Sequence, residues 1–329
     1  MEILLKANNL KKYYKVGRKQ LNINKNKVEQ VYLKAVDDVS FEIYKGEILG
    51  IVGESGCGKS TLGRCIMKLI DATEGTIDFK GENIVNHGFK QMKPIRKQMQ
   101  MVFQNPISSF NPKQTIGKNI GDVARFYRIS KQEYEIKITQ LMEYIGLPKS
   151  ILKSHPNELS GGQLQRLAII RALLLNPEFI MADEPVSALD VSVQAQILNL
   201  LLDLKEEFKM TMMFISHELT VVQHICDRVC VMYLGKIVEM GETDKLFKNP
   251  LHPYTQALIS AKPKELPELE TKRIILKGDV PNAMNIPEGC RFHTRCSYAL
   301  KRCHIEAPQF VEIEEGHWVA CHLKNKNEE

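Results

Sequence analysis

The sequence predicts an α/β fold: a sheet of buried parallel strands wound with helices around a glycine-rich loop, with an inserted helical subdomain and a small, irregular, cysteine-containing C-terminal extension. Three observations predict it. The apolar run 48–52 is followed directly by Gly-Glu-Ser-Gly-Cys-Gly-Lys-Ser-Thr and then by helical spacing at Leu62, Cys65, Ile66 and Leu69, which places the helix over 59–70. Short apolar runs at 100–103, 179–183 and 211–215 read as further buried strands interleaved with helical patterns. Between 106 and 160 the texture turns polar, with helical patterns at 116–127 and 136–145 bounded by Pro112, Pro148 and Pro156. The expected division is 1–262 for the main domain, with the helical subdomain at about 105–160, and 263–329 for the extension.

The loop organises the rest. Gly53, Glu54, Ser55, Gly56, Cys57, Gly58, Lys59, Ser60 and Thr61 fit G-x-x-x-x-G-K-[ST] in the strand-turn-helix setting that the pattern requires. Its glycines let successive N–H groups, with the positive end of the helix dipole, point at a polyphosphate. Lys59 is expected to reach the β- and γ-phosphates, and the Ser60 hydroxyl to take one position on Mg2+. Cys57 reads as a small core residue, with alkylation in the absence of nucleotide as the alternative.

The 329 residues, 43% apolar and 26% charged, are enough for a full core plus a smaller unit. No secretory leader and no apolar run of bilayer-spanning length is visible, so the chain is expected to stay in the cytoplasm. Net charge is only +6, but residues 6–34 hold nine Lys or Arg against the single Glu29, which reads as a solvated surface loop. Eight cysteines in a cytoplasmic chain argue against a disulfide framework.

In chain order, 3–10 and 39–43 read as strands joined by a lysine- and asparagine-rich loop that holds Tyr14 near its start. A strand is expected at 76–79, and Gln104 directly follows the one at 100–103. Leu159-Ser160-Gly161-Gly162-Gln163 opens a helix through Leu167, Ile170 and Leu174, where Ser160 is a good N-cap and the glycines expose N–H groups as a second anion site. The strand 179–183 ends in two carboxylates, Asp183 near the Mg2+ shell and Glu184 placed to orient or deprotonate a water. Residues 187–190 form a turn ending in Asp190, and the helix after it buries Ile197, Leu201, Leu204 and Phe208. His217 stands just past the strand 211–215, where open α/β sheets place their ligands. Cys226 and Cys230, like Cys65, read as small core residues.

Taken together, the loop 53–61, Gln104, the signature 159–163, the strand 179–183 with Glu184, the turn 187–190 and His217 resemble the ATP-binding subunits of ABC transporters. The segments 53–64, 104–112, 183–196 and 249–258 extend the likeness to the dipeptide and oligopeptide importers, specifically their second, F-type ATPase. The resemblance implies a P-loop NTPase that dimerises head to tail, so that Ser160, Gly161, Gly162 and Gln163 act on the partner's nucleotide. It implies Glu184 as general base, His217 as γ-phosphate sensor, Gln104 as Mg2+ or water ligand, and Tyr14 as the adenine-stacking aromatic. Asn105, Ile107 and Glu218 depart from the usual residues without removing a group needed for hydrolysis. Implied partners are a second ATPase subunit of the D-type, two transmembrane permease subunits and, indirectly, an extracellular peptide-binding protein, but no nucleic acid. The expected location is the cytoplasmic face of the cell membrane. Alternative readings are a nickel or other small-solute importer, or a non-transport ABC ATPase.

Cys290, Cys296, Cys303 and Cys321 stand at gaps of five, six and seventeen residues in the extension. Grouped reduced thiols suggest a metal site. The spacings fit zinc poorly, and four thiolates are also what an iron-sulfur cluster takes. The resemblance implies a four-iron four-sulfur (4Fe-4S) cluster. Zinc, with His293, His304, His317 and His322 as spare ligands, and unliganded thiols around Phe310 and Trp318 remain open.

Overall fold

The computed structural model describes residues 2–22, 27–261, 274–276 and 278–324, with side chains left out of account over 18–29. The elements are β1 Ile3–Asn22, β2 Lys27–Tyr44, β3 Ile48–Val52, α1 Lys59–Ile66, β4 Glu74–Phe79 and β5 Glu82–Asn83. There follow α2 Phe89–Gln98, β6 Met99–Val102, α3 Ile116–Phe126, α4 Lys131–Tyr144, α5 Gly161–Leu173, β7 Phe179–Asp183, α6 Val191–Phe208 and β8 Thr211–Ser216. The chain continues with α7 Leu219–Ile225, β9 Arg228–Tyr233, β10 Lys236–Glu242, α8 Thr243–Lys248, α9 Pro253–Ser260, β11 Val311–Glu314 and β12 His317–Val319.

Two compact units emerge. The first comprises Tyr44–Glu47 and Asn86–Ile215. Its strands β6, β7 and β8 are parallel neighbours in register at Met101↔Met181 and Asp183↔Ile215. Both β7 and β8 are buried at every position, as continuous apolar runs in a two-sided parallel sheet should be. Helices α3 and α4 start on Thr115 and Ser130, whose side chains accept backbone N–H groups and so satisfy helix-start donors.

The second unit comprises Ile3–Ile43, Ile48–Val85 and Ser216–Glu329. One of its sheets runs β2-β1-β4-β5, with Leu5 opposite Phe79 and Ala7 opposite Ile77. In the other, β3 lies parallel to β9, and β10, β12 and β11 continue outward antiparallel. The extension thus adds strands to the sheet that carries the glycine-rich loop.

Several expectations need correction. The first two strands run to Asn22 and resume at Lys27, so most of the basic segment read as a loop is a long β-ribbon; residues 23–26 of that segment lie outside the described residues. Helix α1 stops at Ile66, four residues short of its expected end, because Lys68 adopts φ 50°. Phe208, expected in the core, is 44% exposed at the last residue of α6. The extension is not wholly irregular, since β11 and β12 pair. The expected boundary at 262/263 lies outside the described residues.

Candidate functional site

In the second unit, β3 delivers the loop 53–61 and α1 receives it. Two glycines cannot be replaced without moving backbone. At Gly53 (φ 153°) a Cβ would lie 2.2 Å from the Met232 carbonyl oxygen, and at Gly58 (φ 109°) 2.0 Å from that of Ala35. The loop is therefore pinned between β2 and the end of β9, at the start of α1 where backbone N–H groups favour an anion. Lys59 is buried, and its Nζ donates to the carbonyls of Gly53 (2.7 Å) and Glu54 (3.1 Å). Cys57 is 3% exposed, and burial raises its thiol pKa. That agrees with the reading of Cys57 as a small core residue and disfavours the alternative of alkylation, since the thiolate is the reactive species. Tyr14 sits half-exposed on β1 with the Lys12 ammonium 4.9 Å from its ring centroid. His217, half-exposed, has Nε2 4.0 Å from the Glu218 carboxylate.

The first unit gathers the remaining predicted groups. Asp183 closes β7, buried, and Glu184 follows at φ 46°, a left-handed conformation that a non-glycine residue adopts only when its surroundings hold it. Gln104 Nε2 donates to Glu184 Oε2 at 3.0 Å and to Ser187 Oγ at 3.4 Å, so the glutamine after β6 and the carboxylate after β7 form one polar group. Ser160 caps α5 reciprocally: its Oγ accepts from the Gln163 N–H at 3.3 Å, while Gln163 Oε1 accepts from the Ser160 N–H at 3.0 Å. A Cβ on Gly162 would meet Val193 Cγ1 at 2.5 Å, and one on Gly161 would meet Leu189 at 3.2 Å. The signature thus packs against the turn before α6 and its first residues. Asp190 caps α6, accepting from Ser192 Oγ (2.7 Å) and the Val193 N–H (3.0 Å), and these bonds lower its pKa. The predicted magnesium ligands divide between the units, Ser60 in the second and Gln104 and Asp183 in the first.

The four extension cysteines lie within electrostatic reach of one another. Burial raises the Cys290 thiol to about 11, and Cys303, Cys321 and Cys296 push it the same way. The Cys290 N–H donates to the Cys303 carbonyl at 2.8 Å. Four cysteine sulfurs are the donor set of a thiolate-bound metal, and a bound cation would favour the deprotonated form that burial opposes. Among the described residues, however, no group of three or more His, Cys, Asp or Glu is drawn in to metal-holding distance. Three of the four suggested spare ligands have a ring nitrogen committed elsewhere, and the fourth, His304, packs against the His293 ring at 4.4 Å. His317 Nε2 bonds Glu239 at 2.8 Å, His322 Nε2 lies 2.9 Å from the Glu306 carbonyl, and His293 Nδ1 lies 2.8 Å from that of Cys290. Phe310 and Trp318 stack on one another at 5.9 Å.

Sequence reasoning missed what holds Glu54. Its N–H donates to the Tyr254 hydroxyl at 2.8 Å, and its carboxylate takes both terminal nitrogens of Arg295, at 2.7 and 3.1 Å. A signal existed, because a carboxylate inside an anion-binding loop calls for a cationic partner.

Comparison with known proteins gives a consistent result. The ABC transporter family profile matches residues 36–187, and that of the oligopeptide/dipeptide transporter C-terminal region matches 238–303. The chain is 49% identical over 326 residues to the oligopeptide transport ATP-binding protein AppF of Bacillus subtilis, covering 98% of each. It is 46% identical to the putative oligopeptide transport ATP-binding protein YkfD of the same organism, covering 97% of this chain and 95% of the other. Among solved structures, the dimeric post-hydrolysis state of the ATP-binding cassette MJ0796, bound to ADP and Pi, superposes with a TM-score of 0.63 at 29% identity, covering 73% of this chain and 98% of that one.

Proposed function

The chain belongs to the ABC transporter family of ATP-binding proteins, and we propose that it is the ATP-hydrolysing subunit of an importer of di- and oligopeptides. The observation that carries this reading is the end-to-end 49% identity to an oligopeptide transport ATP-binding protein, which includes the extension as well as the ATPase motifs. In this proposal ATP lies on residues 53–61, with Lys59 at its β- and γ-phosphates, Tyr14 against its adenine, and Mg2+ held by Ser60, Gln104 and Asp183. Glu184 acts as general base on the attacking water and His217 senses the γ-phosphate. The 3.0 Å bond from Gln104 to Glu184 supports a relay between metal shell and base. Ser160, Gly161 and Gly162, at the exposed start of α5, act on the nucleotide of a partner ATPase of the D-type. Closure of that dimer on ATP, and its reopening after hydrolysis, move the substrate.

No helix among the described residues is long and apolar enough to cross a membrane. The pathway is therefore proposed to lie in two permease subunits, fed by an extracellular peptide-binding protein, with this chain peripheral on the cytoplasmic face. The four cysteines are proposed to hold a 4Fe-4S cluster, a reading supported by the four-thiol donor set and by the match of residues 238–303, which includes three of the four, to the oligopeptide transporter C-terminal region. The cluster is assigned no step in hydrolysis.

The test is to tag the Glu184→Gln protein, hold it with Mg-ATP in its native membranes, and identify what co-purifies. Two multi-spanning proteins and a second ATPase are the expected result, whereas ribosomal or DNA-repair proteins would overturn the transport reading. Anaerobically purified protein should contain iron and acid-labile sulfide; zinc alone would remove the cluster.

A further inference from the structure

The pentapeptide between Cys290 and Cys296 does more than space two thiols. Within the second unit its side chains make contacts around the glycine-rich loop at three places. Arg291 bonds the Asp37 carboxylate, which also accepts from the Tyr13 hydroxyl, and the Leu234 carbonyl. Phe292, fully buried, packs edge-on to Tyr233 with ring centroids 5.3 Å apart and lies 5.4 Å from Tyr254. Arg295, its side chain 8% exposed, closes a two-pronged ion pair with Glu54.

Glu54 is where these contacts meet the loop. Its carbonyl receives the Lys59 ammonium, its N–H is held by Tyr254, and its carboxylate by Arg295. A loop already ordered loses less conformational freedom when a ligand binds. An unpaired carboxylate at this position would also repel a triphosphate.

We propose that Arg295 is a positioning residue for the phosphate loop, fixing and neutralising Glu54 so that the cysteine-bearing extension sets the affinity for nucleotide. The inference rests on residues 53–61 being the ATP site.

The experiment is equilibrium binding of a fluorescent ATP analogue with Mg2+ to the purified full chain, with thermal unfolding of each variant alongside. Arg295→Met should raise Kd roughly tenfold, because it leaves the Glu54 charge unpaired beside the phosphates. Glu54→Gln should raise it roughly threefold through lost ordering alone. The double variant should return to the Glu54→Gln value, a rescue that a purely structural brace would not give. Arg295→Lys, which keeps the charge but not the fork, should fall roughly threefold above wild type and retain the wild-type melting transition. Wild-type affinity in either Arg295 variant, or a double variant as weak as Arg295→Met alone, would overturn the proposal. Failure of the wild-type protein itself to bind the analogue would remove the ATP site, a result distinct from either.

Discussion

Replacing Glu239 should loosen the seam by which the C-terminal extension joins the sheet. The carboxylate is fully buried in β10 and accepts three hydrogen bonds, from the Leu251 N–H at 2.7 Å, the His252 N–H at 2.9 Å and His317 Nε2 at 2.8 Å. It therefore ties β10 at once to the start of α9 and to β12. Glu239→Ala orphans all three donors inside a water-excluded site. Each orphaned donor costs about 1–3 kcal/mol, and breaking a buried pair by removing one partner costs about 3–5 kcal/mol, so a loss of about 4 kcal/mol is expected. Glu239→Gln keeps the shape and one good acceptor but turns an amide N–H2 toward a donor, for a loss of about 2 kcal/mol. The chain carries its own probe. Its single tryptophan, Trp318, lies on β12 directly opposite Met240 of β10. Urea unfolding followed by Trp318 fluorescence should show both losses, in that order. A change of less than about 1 kcal/mol for Glu239→Ala, or a reversed order, would refute the reasoning.

Gly58→Ala forces a Cβ to within 2.0 Å of the Ala35 carbonyl at a backbone φ of 109°, so fluorescent-nucleotide titration should find binding abolished. Gly162→Ala drives a methyl to 2.5 Å from Val193 Cγ1; overpacking of about 1–3 kcal/mol should appear as a lowered denaturation midpoint. His252 gives a pH prediction. Burial lowers its pKa to about 4, against the opposing pull of the Glu239 carboxylate. The unfolded chain, titrating near about 6.5, then takes up a proton that the folded chain refuses. Stability should fall by about 3 kcal/mol as pH drops from about 6.5 to 4, and level off below that. His252→Asn, which can still accept from the Tyr254 N–H, should flatten that part of the pH profile, and an unchanged slope would assign it to another group.

Local patterns carried much of the fold. The run 48–52 is β3 to the residue, and the continuous apolar runs at 179–183 and 211–215 are strands because strands buried on both faces need no alternation. Ser160 and Asp190 were legible as helix starts because capping is written in adjacent residues. Long-range pairings were not. Nothing near Arg295 in the sequence points to Glu54, 241 positions away, and a lone glutamate in β10 reads as a surface residue until His317 and two backbone N–H groups close around it. The long ribbon of β1 and β2 was hidden by its lysines and asparagines, which lack the alternation that marks a half-buried strand. The Gln104–Glu184 contact could be anticipated only as two strand ends, since its 3.0 Å separation depends on the parallel register of β6 and β7.

The Lys59 ammonium rests on two carbonyls of its own loop. Those carbonyls satisfy the buried ammonium from within the loop. On the ATP site proposed above, nucleotide binding would exchange one set of oxygens for another at this ammonium, and its favourable energy would be the difference between them rather than the whole of a new charge pair. The same substitution runs backwards after hydrolysis. As the product's phosphates withdrew, the loop carbonyls would be there to take the lysine back, so that release need not pass through a bare ammonium.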